Sequence, residues 1–445
     1  MEYYYDRGWA GVGESNGTQN GKTGQLTRIV DNKDRNRDKI YEYDALGRLR
    51  TVRGGAATGF SGLPANWTQS YVYDRWGNRT NVNVAPNSVT SNNQAVPTDG
   101  IANLSYQQTS NRINTTDYEY DPAGNLVKGQ AADGSWQRYQ YDAANRFGRC
   151  FDNANNSLQG SGYTSSNRRL VTNDAEGLKW YVWGGDSVMA EYTSAGWANA
   201  LTWQKSYIYA GDSLLSTYTN NGSGGETTEF HHPDRLGTKL VTNHQANNSF
   251  EQSTLPFGTS LTAEESGTST TNRKFTSYQR SNVTKLDYAV NRSYSSAQGR
   301  FTQVDPIGMS AASLIAPQTL NMYSYCGNDP INRTDPSGLF FGKLFRAIGK
   351  IFKIIVIALA ILVAVAAVIA IQEPMLRSLA IKALVWASTT LVSQFVGGKI
   401  GAVLQIATNL YFSGPKIIVN LASTLKKLNK VAENIICGKF GWRSF

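Results

Sequence analysis

The sequence predicts a mainly β fold, an array of β-hairpins over most of its length, followed by an α-helical C-terminal tail. Three observations carry this. The composition joins 42 Gly, 24 Tyr and 10 Trp to only 12 Pro and 5 Met, a mixture that suits strands and tight turns. The string YxYD recurs at Tyr3–Asp6, Tyr41–Asp44, Tyr71–Asp74, Tyr118–Asp121 and Tyr139–Asp142, far above chance, which marks an internal repeat. Finally, one uncharged apolar run, residues 354–371, stands apart near the C-terminus.

Each repeat reads as one hairpin. Alternating tyrosines put two rings on one face of a strand. Three copies extend to YEYDALGRL, YVYDRWGNR and YEYDPAGNL, with Asp at the first and Gly at the fourth position of a type I turn. The Asp side chain bonds nearby backbone N–H groups and Gly tolerates positive φ. In YDAANRF, Asn145 takes the place of that Gly, and Asn also enters the left-handed region. Spacings of 30, 47 and 21 residues between Asp44, Asp74, Asp121 and Asp142 suggest a unit near twenty residues with insertions. The widest gap holds VAPNSVTSNNQAVPTDG, read as a polar loop. Further hairpins are expected at KWYVWGGDSVMAEY and SYIYAGDSLLSTYT, so the array continues to about residue 260.

The array resembles the RHS/YD-repeat family of polymorphic toxins, whose repeats wind into a hollow, spiralling β-sheet shell. EFHHPDRLGTKLVTN (229–243), LPFGT (255–259), KFTSYQRSNVTKLDYAVNRSYSSAQGRFTQVDPIG (274–308) and NMYSYCGNDPINRTDPSGL (321–339) are similar, in order, to the signatures of the RHS repeat-associated core. The resemblance implies three parts: hairpin repeats over 1–260, a core over 261–339 ending in DPSGL, and a variable tail over 340–445. It departs from the pattern at NRSYSS, where the family has an Arg followed by an aromatic pair.

Two carboxyls that approach each other can share a proton, so that one acts as an acid while the other activates water. Asp305 and Asp335 stand 30 residues apart, each before a Pro that favours extended or turn backbone. The family resemblance implies that these two are the catalytic carboxyl pair of a self-cleavage, with Arg292 as electrostatic partner and Leu339-Phe340 as the scissile bond. Read without it, both Asp-Pro pairs are plain turns and Arg292 is a strand-surface or ion-pair residue. His231 and His232 on one strand point to opposite faces, so with His244 they make no metal site, and no metal or cofactor is expected. Asp186, Asp212 and Asp234 read as turn formers. Cys150 and Cys326 read as buried thiols, and three cysteines, with Cys437, are too few for a disulfide framework.

The charge is uneven. The net charge of +10 resolves into +11 over residues 340–445, from 13 Lys and Arg against Glu373 and Glu433, and −1 over the rest, so no nucleic-acid partner is expected for the repeats. Lys343, Arg346, Lys350 and Lys353, spaced by three or four among apolar residues, make a basic amphipathic helix suited to anionic lipid surfaces. The 18 apolar residues that follow approach the length that crosses a bilayer. A weaker apolar segment occupies 379–412, a second basic amphipathic helix is expected after Pro415, and the tail has neither His nor Asp for hydrolytic chemistry. The expected function is therefore a secreted or envelope-associated RHS-type toxin that encloses a membrane-active tail and releases it by cutting after Leu339. An immunity protein and secretion components are its expected partners, and no Sec-type signal is visible at MEYYYDRGWAGVG. The alternatives are a non-enzymatic surface protein anchored by an uncleaved helix, or a remnant with an inert tail.

Overall fold

The computed structural model of the 445-residue chain describes residues 1–5, 24–55, 66–90, 93–211, 213–268, 270–308 and 317–339. The chain divides into two compact units, Met1–Phe345 and Arg346–Phe445, and every described residue belongs to the first. Asp6, Asp212, Phe340, the four basic residues from Lys343 to Lys353, the apolar run 354–371 and Cys437 lie outside the described residues. Among the described residues no helix is long and apolar enough to cross a membrane.

The described part is mainly β and antiparallel. A six-stranded sheet runs in chain order through β1 (Glu2–Tyr5), β2 (Leu26–Val30), β3 (Lys39–Tyr43), β4 (Leu49–Gly54), β5 (Trp67–Tyr73) and β6 (Arg79–Val84). A thirteen-stranded sheet follows, from β7 (Glu119–Tyr120) through β8 (Leu126–Gln130), β9 (Trp136–Tyr141), β10 (Phe147–Asp152), β11 (Ser157–Tyr163), β12 (Arg169–Asp174), β13 (Gly177–Gly184), β14 (Ser187–Ser194), β15 (Thr202–Ala210), β16 (Ser213–Asn220), β17 (Glu226–Asp234) and β18 (Gly237–Asn243) to β19 (Asn248–Glu251). A small sheet of β20 (Gln279–Arg280), β21 (Asp287–Tyr288), β22 (Ser293–Ser295) and β23 (Arg300–Phe301) closes the series.

The YxYD unit builds its hairpin through one carboxylate. At the β3–β4 turn, Asp44 Oδ1 accepts from the N–H groups of Leu46 at 2.9 Å and Arg48 at 3.0 Å, while Gly47 N–H donates to the Asp44 carbonyl at 2.9 Å. Gly47 has φ +76°, and the register slips by one residue between Glu42 and Tyr43, a bulge that the left-handed residue makes possible. The same pattern recurs at Asp74, Asp121 and Asp142, with Gly77, Gly124 and Asn145 at positive φ. It also recurs at two turns with no YxYD string: Asp152 with Asn155 at φ +67°, and Thr164 with Asn167 at φ +62°. There Thr supplies the acceptor, through its hydroxyl, to Arg168 N–H at 3.2 Å.

Successive hairpins are then tied together. At five turns the ring just before the turn donates to the opening carbonyl of the return strand in the preceding hairpin: Tyr43 to Leu26 at 2.7 Å, Tyr73 to Leu49 at 2.7 Å, Tyr141 to Leu126 at 3.0 Å, Tyr163 to Phe147 at 2.8 Å, and Trp183 Nε1 to Arg169 at 2.8 Å, whereas Tyr120, before the Asp121 turn, accepts from Ile113 N–H at 3.2 Å. The fifth residue of a turn reaches forward as well. Arg48 donates to the Asp74 carbonyl at 3.1 Å and lies over the Tyr73 ring, and Arg146 does the same with Thr164 and Tyr163. The other tyrosine of the motif, Tyr41, Tyr71 or Tyr139, is buried in the core.

The polar segment between β6 and β7 is more than a surface loop. Its Asp99 is fully buried and accepts from Phe257 N–H at 2.7 Å and Tyr71 Oη at 2.9 Å. Burial pushes the Asp99 carboxyl up, against the nearby Arg79 and these donors. Leu255, Phe257 and Leu261 of the following segment complete the core beneath the first sheet, together with Trp67, Val82 and Ile331. Leu286 does so beneath β8–β10. Residues 321–332 also read the row of turns directly: Tyr323 Oη donates to the Gly124 carbonyl at 2.7 Å, Asn328 Nδ2 to Gly77 at 2.7 Å, and Asn332 Oδ1 accepts from Leu26 N–H at 2.7 Å.

Removing the Asp121 carboxylate by Asp121→Ala should cost about 2 kcal/mol, and Tyr141→Phe about 1 kcal/mol, by denaturant unfolding. Leu46→Ala, at a side chain in the same turn series but 61% exposed, serves as the control. Equal, near-zero effects for all three would mean that the turn bonds do not stabilise the array.

Candidate active site

The site begins at a strained turn. Between β21 and β22 the chain reverses over Ala289–Arg292, closed by Ala289 N–H to the Arg292 carbonyl at 3.0 Å and Asn291 N–H to the Ala289 carbonyl at 2.7 Å. Val290 sits there at φ +62°, a conformation that a β-branched residue adopts at a cost of roughly 1–3 kcal/mol. The reversal delivers Arg292 into a buried position at the start of β22.

Every nitrogen of the Arg292 guanidinium has a partner. Nη2 lies 3.1 Å from Asp305 Oδ2 and 3.4 Å from Asp335 Oδ2, and all three side chains are buried. Nη1 donates to the Met322 carbonyl at 2.9 Å and Nε to the Gly338 carbonyl at 2.6 Å. One face rests 3.6 Å from the Phe301 ring centroid. Ser293 of β22 follows Arg292, and the ring against the guanidinium comes from Phe301 of β23.

The two carboxyls arrive by different routes. Asp305 follows β23; its N–H donates to the Met322 carbonyl at 3.1 Å and its Oδ1 accepts from Ile307 N–H at 3.0 Å, a turn of the kind Asp-Pro favours. Asp335 opens the last described turn, its Oδ1 accepting from Leu339 N–H at 2.9 Å. Because both Oδ2 atoms bind the same nitrogen, they cannot lie further apart than the sum of those two contacts. Asp335 therefore touches both the guanidinium and the residue at the N-terminal side of the Leu339-Phe340 bond. One guanidinium thus faces two buried carboxyls, an arrangement whose desolvation is offset only where further partners satisfy each group.

Several members carried no sequence signal. Tyr278 Oη donates to the Asp335 carbonyl, and Asn291 Nδ2 to the Ser337 carbonyl at 2.9 Å. Both are polar contacts between segments far apart in the chain. A buried cluster of Phe275, Tyr278, Tyr294, Phe301 and Tyr325, stacked between Phe275 and Tyr294 and tilted or edge-on elsewhere, underlies the small sheet.

Of the other titratable residues singled out in the sequence, Cys326 packs in this aromatic cluster, and the histidines, Asp186, Asp234 and Cys150 lie elsewhere. His231 is buried, bonded through Nε2 to Thr217 Oγ1 at 2.8 Å, whereas exposed His232 meets Thr242 Oγ1 at 3.0 Å and His244 packs edge-on to Phe230. Burial pushes His231 down to about 4. Asp234 accepts from Leu236 and Gly237 N–H at 2.7 and 3.1 Å in its turn, and Asp186 pairs with Arg168. Cys150 and Cys326 are buried free thiols; burial pushes the first up to about 12 and the second well above its ordinary value.

No model of a known protein family matches the chain, and no curated protein matches it. Solved structures do match. The crystal structure of TcdB2-TccC3-Cdc42 aligns with a TM-score of 0.53 at 17% identity, over 71% of this chain and 16% of that one. The crystal structure of TcdB2-TccC3-TEV aligns at 0.51 and 17% identity, over 76% and 17%. The Photorhabdus luminescens Tc holotoxin pore with a mutated TccC3 aligns at 0.51 and 16% identity, over 71% and 16%. This chain thus spans 16–17% of the length of the chains it resembles, and the likeness shows the fold: an RHS-like β-hairpin array.

A neutral buried His231 makes the fold lose stability as pH falls. Between 6.5 and about 4 the unfolded chain takes up a proton that the folded chain does not. The fall in unfolding free energy across that window should be smaller in His231→Gln, by about 3 kcal/mol. Identical pH profiles for the two proteins would exclude His231 as the cause.

Proposed function

We propose that this chain is an RHS-type toxin protein whose core cuts its own backbone between Leu339 and Phe340 and so frees a membrane-active C-terminal segment. The observation that carries this reading is the Arg292 Nη2 contact with both Asp305 and Asp335, within a buried cluster that also holds Leu339 N–H. The RHS-like fold supports it as well.

The chemistry is a hydrolysis. One carboxylate of the pair takes a proton from water, and the oxygen adds to the Leu339 carbonyl carbon. The other carboxyl gives its proton to the Phe340 nitrogen as the C–N bond breaks, leaving a Leu339 carboxylate and a Phe340 amine. Arg292 keeps the two carboxyls adjacent and draws the Gly338 carbonyl toward the pair. The freed segment, 340–445, brings a net charge of +11, the basic residues Lys343, Arg346, Lys350 and Lys353 against anionic lipid, and the apolar run 354–371 into the bilayer. An immunity protein that binds this segment and a secretion apparatus that exports the chain would complete the system.

Purified protein should run as two fragments divided after Leu339, by gel and mass spectrometry, and Asp305→Asn or Asp335→Asn should leave it whole. An intact wild-type chain would sink the cleavage reading and favour an uncleaved, anchored surface protein.

Dye release from anionic liposomes tests the second half. Wild-type protein should cause leakage, with the Asp305→Asn chain much weaker. Leakage from neither would leave the tail without membrane activity.

A further inference from the structure

We infer that the turn Ala289–Arg292 is a cradle that seats residues 335–339 as a captive substrate, with Asn291 as its positioning residue, so that the core cuts only its own chain, once. This deepens the cleavage reading and rests on it.

The argument comes from the main-chain groups upstream of the bond. The Asp335 carbonyl accepts from Tyr278 Oη. The Ser337 carbonyl accepts from both Asn291 N–H at 3.3 Å and Asn291 Nδ2 at 2.9 Å. The Gly338 carbonyl accepts from Arg292 Nε at 2.6 Å, and Leu339 N–H donates to Asp335 Oδ1 at 2.9 Å. Gly338 lies at φ +67°, and a Cβ there would stand 2.7 Å from the Ala289 carbonyl oxygen and 3.2 Å from Arg292 N. The cradle therefore accepts only glycine at that position without moving. Val290 at φ +62° shows that the cradle keeps its shape against its own backbone preference, which requires surroundings that over-determine it.

Two consequences follow. Holding reactants in place makes the reaction unimolecular, so its rate constant is independent of protein concentration. Moreover, each of these bonds lies on the core side of Leu339, and none is broken when the C–N bond is. The new C-terminus stays seated and fills the site that a second substrate would need.

The experiment mixes self-cleaved wild-type core with a tagged full-length Asp305→Asn chain, and in parallel treats the cleaved core with carboxypeptidase. The tagged chain should stay whole, self-cleavage should be first order at every protein concentration, and Leu339 should resist trimming. Asn291→Ala should slow self-cleavage by about a hundredfold. Its unfolding midpoint should stay near wild type, and any cleaved product should lose Leu339 quickly. Asn291→Asp, similar in size but presenting an acceptor to the Ser337 carbonyl, should cleave no faster.

Cutting of the tagged chain in trans, rapid trimming of wild-type core, or wild-type cleavage by folded Asn291→Ala would overturn the cradle while leaving self-cleavage intact. Wild-type protein that never cleaves would overturn both. If the Asn291 variants unfold, trans cutting and trimming of wild-type protein still decide.

Discussion

The side-chain oxygen that opens the repeat turns, a carboxylate at Asp44, Asp74, Asp121, Asp142 and Asp152 and a hydroxyl at Thr164, is the constraint on which the rest of this structure depends. By accepting two backbone N–H groups, as Asp44 does, it fixes a turn whose fourth residue must be left-handed. The resulting one-residue bulge sets the register of the whole hairpin. A slip of one position would send Tyr41 and Tyr43 to the opposite face, so the turn decides which side of the sheet is core. Where the ring before a turn donates back to the preceding hairpin, as Tyr73 does to Leu49, it ties together the registers of neighbouring hairpins.

The row of turns also positions the site. Residues 321–332 are anchored on turn carbonyls and amides, including Gly77, Gly124 and the Asn78 side chain. The same segment presents the Met322 carbonyl that binds both Arg292 Nη1 and Asp305 N–H. Regular repeats thus hold an irregular segment in one place, where bent backbone and buried charge are tolerated. Desolvating one guanidinium and two carboxyls is costly, and it is offset only because each group meets several partners. Such a cluster adds little net stability, since well-packed apolar side chains would stabilise the fold at least as well.

Much of this was legible beforehand, for stated reasons. Hairpins with Asp first and Gly or Asn fourth follow from φ preferences, and those preferences are local. The hairpins at Asp152 and Thr164 carry no YxYD signal, since FDNANN and YTSSNRR lack the tyrosine pair, although Asn155 and Asn167 keep the left-handed position. Position-specific Asn would have been the signal. The buried Asp99 carries none for a different reason: its donors, Phe257 N–H and Tyr71 Oη, come from distant parts of the chain.

The sequence alone determined the β-hairpin array, its turn chemistry, the confinement of excess positive charge to residues 340–445, and, through a family resemblance, which Arg and Asp residues to follow. Only the tertiary structure decided that Asp305 and Asp335 meet at one nitrogen of Arg292, that Phe301 backs that guanidinium, and that Asn291 and Tyr278 hold the segment before Leu339. The reason is range. Turn geometry is settled by the residues within it, whereas a contact between residues 292, 305 and 335 depends on how three separate segments close over one another.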